Sequence, residues 1–247
     1  MKTATIEAAF LALWLAAPAA AAEPCRDVSF EETPYTICTV SADEDLRLWL
    51  TGPDGRPMGS FDRLRETVEG EGKALVFAMN AGMYHPDRRP VGLYVEDGGE
   101  VAPLVTSAGP GNFGMLPNGV FCISGTGFAV IESRTFASGG TQCRHATQSG
   151  PMLVIGGELH PRFLPDSDSR YIRNGVGVSP DGQTAYFAIA DRPVTFHEFG
   201  RLFRDEFDAP NALYFDGKIS RLYAPGLDRH DTGFPMGPIV GLVAASR

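Results

Sequence analysis

Four short stretches set polar side chains directly against apolar runs. In "ALVFAMNAGMY", Asn80 ends a run that is apolar on both faces, and Ala-Gly follows. In "ATQSGPMLV", Gln148 and Ser149 stand immediately before an apolar run. In "SRYIRNGVGV", Arg173 and Asn174 precede a glycine-rich strand, and in "NALYFDG", Asp216 closes a buried-looking one. Polar groups at strand ends along one sheet edge are where ligands gather. An amide, a guanidinium and a carboxylate meeting there could hold a sugar and a phosphate, because the guanidinium fork matches phosphate oxygens. Each residue also has a plainer reading. Asp-Gly is a strong two-residue hairpin signal, and it recurs at Asp97-Gly98 and Asp181-Gly182. Asn80 before Ala-Gly suits a strand-terminal turn, and a lone Arg173 suits a solvated surface. Residue types leave Asp216 open between turn and chemistry.

The elements that must position these residues are mostly strands. Short β-like runs such as "LRLWL", "GVFCISG", "GFAVIES", "AYFAIA" and "PIVGLVAA" are separated by turn signals such as "PDG", "EDGG" and "SPDG". Two stretches read as helices. In "SFDRLRETVEG", Phe61, Leu64 and Val68 share a face behind a Ser60 cap. In "TFHEFGRLFRDEF", Phe196, Phe199, Phe203 and Phe207 recur at helical spacing, and Thr195 with Glu198 forms a capping box. That aromatic stripe reads as core. Irregular interleaving of many strands with few helices predicts an α+β fold, a single domain with a large mixed β-sheet and a few packed helices.

Residues 1–22, with Lys2, the apolar run "AAFLALWLAAPAA" and Ala20-Ala21-Ala22, read as a cleavable signal peptide. The run is too short to span a bilayer, so the expectation is a periplasmic or secreted protein without a membrane span. In that oxidising setting the four cysteines read as disulfides, for which three pairings exist. A hairpin turning at Glu31-Glu32 sets Cys25 opposite Cys38 and leaves Cys122 for Cys143. The net charge of −9 argues against nucleic acid as a partner. Other motifs fail on context. "GPGNFG" at 109–114 matches a dinucleotide fingerprint in letters but leads into a proline and a strand rather than a helix. The five histidines form no zinc-like spacing, no G-x-S-x-G occurs, and "DED" at 43–45 lacks the pattern of a calcium loop.

Taken in order, "NAGMY", "PVGLYVEDG", "GNFGMLPNGVF", "ATQSGPMLV", "RNGVGV" and "NALYFDG" resemble the phosphodiester glycosidase family. The resemblance covers 74–247, while 23–73 carries no recognisable part and is read as strands, hairpin and helix of the same domain. It implies an exported hydrolase cutting the glycosidic bond of a sugar-1-phosphodiester, resembling a GlcNAc-1-phosphodiester, in the cell envelope. By position it implies Asp216, Arg173 and, more loosely, Asp191 as catalytic, with Asn80, Gln148, Ser149, Asn174 and Asn211 binding substrate. No metal or cofactor is required, although a structural calcium ion is compatible with it. Where better-known members continue as D-G-G-G-S, this chain has "DGKISRLY", which puts Lys218 where small residues otherwise admit ligand. A non-catalytic envelope glycan-binding protein is the alternative that this departure favours.

Overall fold

The computed structural model describes residues 23–246, so the signal-peptide reading lies outside the described residues. The α+β class holds. The strands do not form one mixed sheet, however: they divide into sheets of seven, five and five strands, and every ladder is antiparallel. Parallel neighbours need long crossovers, usually helical, and this chain has few helices to provide them. Among the described residues, no helix is long and apolar enough to cross a membrane.

The first sheet runs Cys25–Phe30, Thr33–Ser41, Thr184–Ala190, Asn174–Val178, Asn211–Asp216, Met152–Ile155 and Glu158–Leu159. The second places Lys73–Asn80 between Leu222–Ala224 and Ile239–Ala245, with Asp45–Trp49 at one edge. The third centres on His145–Ser149, flanked by Tyr94–Glu96 and Gly119–Ile123. All three share one core. Phe187 of the first sheet meets Phe77 of the second (ring centroids 5.5 Å apart) and Phe121 of the third (5.6 Å, edge-on). Each ring is fully buried, which contributes roughly 1.5–3 kcal/mol apiece.

Both helices read from the sequence are present. Phe61–Gly70 starts at Ser60, whose hydroxyl accepts from the Arg63 N–H, and lays Phe61, Leu64 and Val68 on the second sheet. Phe196–Arg201 carries the complete Thr195/Glu198 capping box, and then loosens into a π-helical turn, Leu202–Glu206. Phe199 and Phe203 pack on the outer face of the first sheet. A Cβ on Gly177 would stand 2.6 Å from the Phe203 ring, so the glycines of "RNGVGV" are what let the helix lie so close. A third helix, Ser133–Gly139, follows the strand Phe128–Glu132. It is seven residues long with a single buried side chain, too short to leave a periodic pattern.

The N-terminal hairpin turns at Glu31 and Glu32, both at positive φ (46° and 62°), and pairs Cys25 with Cys38 in register. Both expected disulfides, Cys25–Cys38 and Cys122–Cys143, are formed. Residues 33–41 pair along Thr184–Ala190, and 45–49 pair along Ile239–Ala245. The segment without motif resemblance is therefore woven into two of the three sheets.

Candidate active site

Strand ends from all three sheets converge at one edge. Asn174 opens its strand directly opposite Asp216, which closes the neighbouring one. From the second sheet, Asn80 ends Lys73–Asn80 and faces Asn174 in a reciprocal amide pair. Asn174 Nδ2 donates to Asn80 Oδ1 (3.1 Å) and to its backbone carbonyl (2.9 Å), and Asn80 Nδ2 donates to Asn174 Oδ1 (3.3 Å). The Asp216 N–H and the Ser220 hydroxyl also donate to Asn174 Oδ1, and the Arg221 N–H donates to Asn80 Oδ1. From the third sheet, the Ser149 hydroxyl donates to the Phe215 carbonyl (2.9 Å). Asn80, Ser149 and Asn174 are completely buried. Their polar atoms bind one sheet to another, and they frame the site.

Asp216 is no hairpin turn. Neither it nor Gly217 has positive φ, whereas Asp97 and Gly98 both do, as a type I′ turn requires. The chain beyond Asp216 leaves the first sheet for Leu222–Ala224 of the second. Asp216 Oδ1 accepts from the N–H groups of Gly217 (2.6 Å) and Lys218 (2.9 Å), holding the carboxylate over this exit. Burial is the largest influence on its pKa and raises it. The amides of Lys218, Gly217 and Ile219, and the Lys218 charge, oppose that without cancelling it, so Asp216 lies above the ordinary carboxylate value.

Arg173 stands one residue along and one strand across from Asp216. It is 1% exposed. Nε donates to the Val194 carbonyl (2.8 Å) and one Nη to the Ser169 carbonyl (2.9 Å). The Tyr214 phenol lies beside the guanidinium and supports its charge, while Nη1 finds no partner of good hydrogen-bond geometry. The guanidinium carbon lies 3.6 Å from the Phe196 ring centre and 5.5 Å from those of Tyr171 and Tyr214. No carboxylate forms a salt bridge with it among the described residues. Glu198 is held by Arg170 through two bonds of 2.8 and 2.9 Å. Burial lowers the Arg173 pKa, yet arginine keeps its charge. A buried cation without a counter-charge costs several kcal/mol, of which the stacked ring offsets about 2 kcal/mol.

The remaining expected residues are differently placed. Gln148 is buried, and its amide is fully used by the protein: Oε1 accepts from Leu93 and Val105 N–H, and Nε2 donates to the Val105 carbonyl and the Ser133 hydroxyl. It holds the 103–118 loop and has nothing left for a substrate. Asn211 begins the strand that Asp216 ends, about 17 Å away, and its side chain caps the turn at Gly156. Asp191 follows the strand end at Ala190, two strands from Asp216, and is ion-paired to Arg229 (2.5 Å). These placements share a cause. A polar residue beside an apolar run is as useful for closing loops as for meeting a ligand.

Two tyrosines at the edge escaped the sequence reading. Tyr214 is buried two residues before Asp216, so both point to one face of the strand. Burial raises its pKa, which keeps the phenol protonated, and a Cβ on Gly217 would collide with its hydroxyl. Period-two alternation in "LYFDG" was the available signal. Tyr84, four residues beyond Asn80, is raised by burial and then by the negative charge of Asp216. Two surface hollows lie elsewhere. One lies around Phe128 and Gln183 by the Asp181 turn, the other around Pro57 and Arg88.

An antiparallel three-sheet α+β fold thus brings a carboxylate and a buried arginine without a salt bridge to one strand-end edge. The chain belongs to the phosphodiester glycosidase family, whose model matches residues 73–232. It is 31% identical over 229 residues to the uncharacterized protein YigE of Escherichia coli K12, covering 92% of this chain and 88% of that one. Its fold matches the catalytic domain of zebrafish N-acetylglucosamine-1-phosphodiester alpha-N-acetylglucosaminidase, auto-inhibited by its pro-peptide. The TM-score is 0.60 at 14% identity, over 90% of this chain and 82% of that one. A Burkholderia pseudomallei K96243 protein described as exported matches at TM-score 0.52 and 11% identity, over 85% and 74% of the two chains.

Proposed function

We propose that the protein is an exported hydrolase that cleaves the glycosidic C–O bond of a sugar-1-phosphodiester, resembling the N-acetylglucosamine-1-phosphodiester named for the zebrafish relative. The observation that carries this reading is the unpartnered Nη1 of the buried Arg173, next to the strand end that holds Asp216. Arg173 takes the phosphate, which departs as a monoester already able to carry its charge, so protonation of the leaving oxygen matters less than in ordinary glycosides. Asp216 meets the anomeric carbon as nucleophile, or activates the water that does. Asn80, Asn174 and Ser149 fix where these two groups stand. Two disulfides and an apolar leader fit export to the periplasm or beyond.

The second reading, a glycan-binding protein without turnover, draws support from Asp216 Oδ1 being engaged by its own turn amides. Incubating the protein with a chromogenic sugar-1-phosphodiester in ¹⁸O-labelled water separates the two. The expected result is chromogen-phosphate free of label. Label in the phosphate would mean P–O cleavage and end the glycosidase reading. Binding without any product would leave the glycan-binding one.

A further inference from the structure

Tyr171 is 49% exposed, and its ring centre lies 5.5 Å from the guanidinium carbon of Arg173. Its Cβ also borders Gly217: a Cβ there would come within 3.4 Å of it. One side chain therefore borders both the buried cation, through its ring, and the residue next to Asp216, through its Cβ. The mount beneath it is fixed. Tyr171 exchanges two backbone hydrogen bonds with Val194 (3.1 and 2.8 Å), Arg170 is clamped to Glu198, and the Ser169 carbonyl accepts from Arg173. An exposed aromatic side chain on a clamped backbone has little freedom left to lose when something covers it.

We propose that Tyr171 is the stacking platform for the pyranose ring of the substrate. This rests on the reading of Arg173 as the phosphate site. A sugar-1-phosphodiester with its phosphate on Arg173 must bring its ring to the Asp216 side, and Tyr171 borders that path. One face of a pyranose is a row of C–H groups, which suits an amphipathic aromatic surface. Gly217, having no side chain, lets the Tyr214 hydroxyl and the Tyr171 side chain close in beside Asp216. Tyr171 thus selects for a sugar on the phosphate, independently of hydroxyl recognition.

The test is calorimetric titration with two probes that cannot turn over. One is the C-linked phosphonate analogue of methyl N-acetylglucosaminyl 1-phosphodiester; the other is dimethyl phosphate, the same anion without a sugar. Wild type should bind the first more tightly than the second. Tyr171→Ala should weaken the first about tenfold, roughly 1.4 kcal/mol, and leave the second unchanged, while Tyr171→Trp keeps both. Equal weakening of both probes would make Tyr171 a prop for Arg173, and no weakening would make it a bystander; either overturns the proposal. Wild type that binds neither probe, or both alike, overturns it too. Tyr171-dependent binding of the sugar probe, with no turnover of a hydrolysable diester, would sink the catalytic reading and leave the platform standing.

Discussion

Arg173 and Asp216 divide the site's electrostatics, and each can be tested by its smallest change. Arg173→Lys keeps the charge but loses the planar contact with Phe196 and the donors to Val194 and Ser169. Turnover of a phosphodiester should fall by about 10²-fold with the fold retained; wild-type rates would remove Arg173 from the phosphate. Asp216→Asn preserves shape and the acceptor for Gly217 and Lys218. It should lower turnover by about 10²-fold or more, while Asp181→Asn, at an exposed Asp-Gly turn, stays fully active. The raised pKa of Asp216 adds a pH signature. If its carboxylate must be charged, activity falls on the acid side with an inflection above the ordinary aspartate value. Stability follows the opposite sense. The folded state holds this proton more tightly than the unfolded chain, so the Asp216 contribution is lost as pH rises from the unfolded pKa through the folded one. Melting of Asp216→Asn should therefore gain on wild type across that window and level off above it.

Elements explain why some of this was legible and some was not. The capping box at Thr195, the Ser60 cap and the Glu31-Glu32 hairpin are decided by neighbours in sequence, and all three stand as read. The edge at Asp216 is decided by which sheet the chain enters next, which local pattern does not encode. The same Asp-Gly pair makes a positive-φ hairpin at Asp97 and an extended strand exit at Asp216. Gln148 and Asn211 had the right composition and the wrong surroundings: their partners, Val105 and Gly156, are loop backbone some distance along the chain. The glycines of the Asn174–Val178 strand are the clearest element-level constraint. Gly177→Ala puts a methyl 2.6 Å from Phe203 and 3.1 Å from the Ala209 side chain. The helix must then lift, at about 1–3 kcal/mol, and circular dichroism melts should show a lower midpoint. An unchanged midpoint would mean the helix is not seated on that strand as described.

At the scale of the whole molecule, one shared core ties the sheets together, and each disulfide closes within a single sheet. Cys25–Cys38 closes a separation of 13 residues and Cys122–Cys143 one of 21, loops for which a bridge contributes about 3 kcal/mol each. Reduced protein should melt well below oxidised protein, and a thiol assay on native material should find no free cysteine. Four reactive thiols would contradict both bridges and the oxidising compartment.

The unpaired guanidinium of Arg173 also turns the fold into a detector. An anion that settles on it binds the native chain and not the unfolded one, so stability rises as RT ln(1 + [L]/Kd), about 2.7 kcal/mol at a hundredfold excess over Kd. A panel of anions can therefore be ranked by melting temperature before any reaction is known. Dialkyl phosphates bearing a sugar should raise it most, and Arg173→Lys should flatten the ranking. The native ligand of this chain can be sought with a heating block, without waiting for a chromogenic assay.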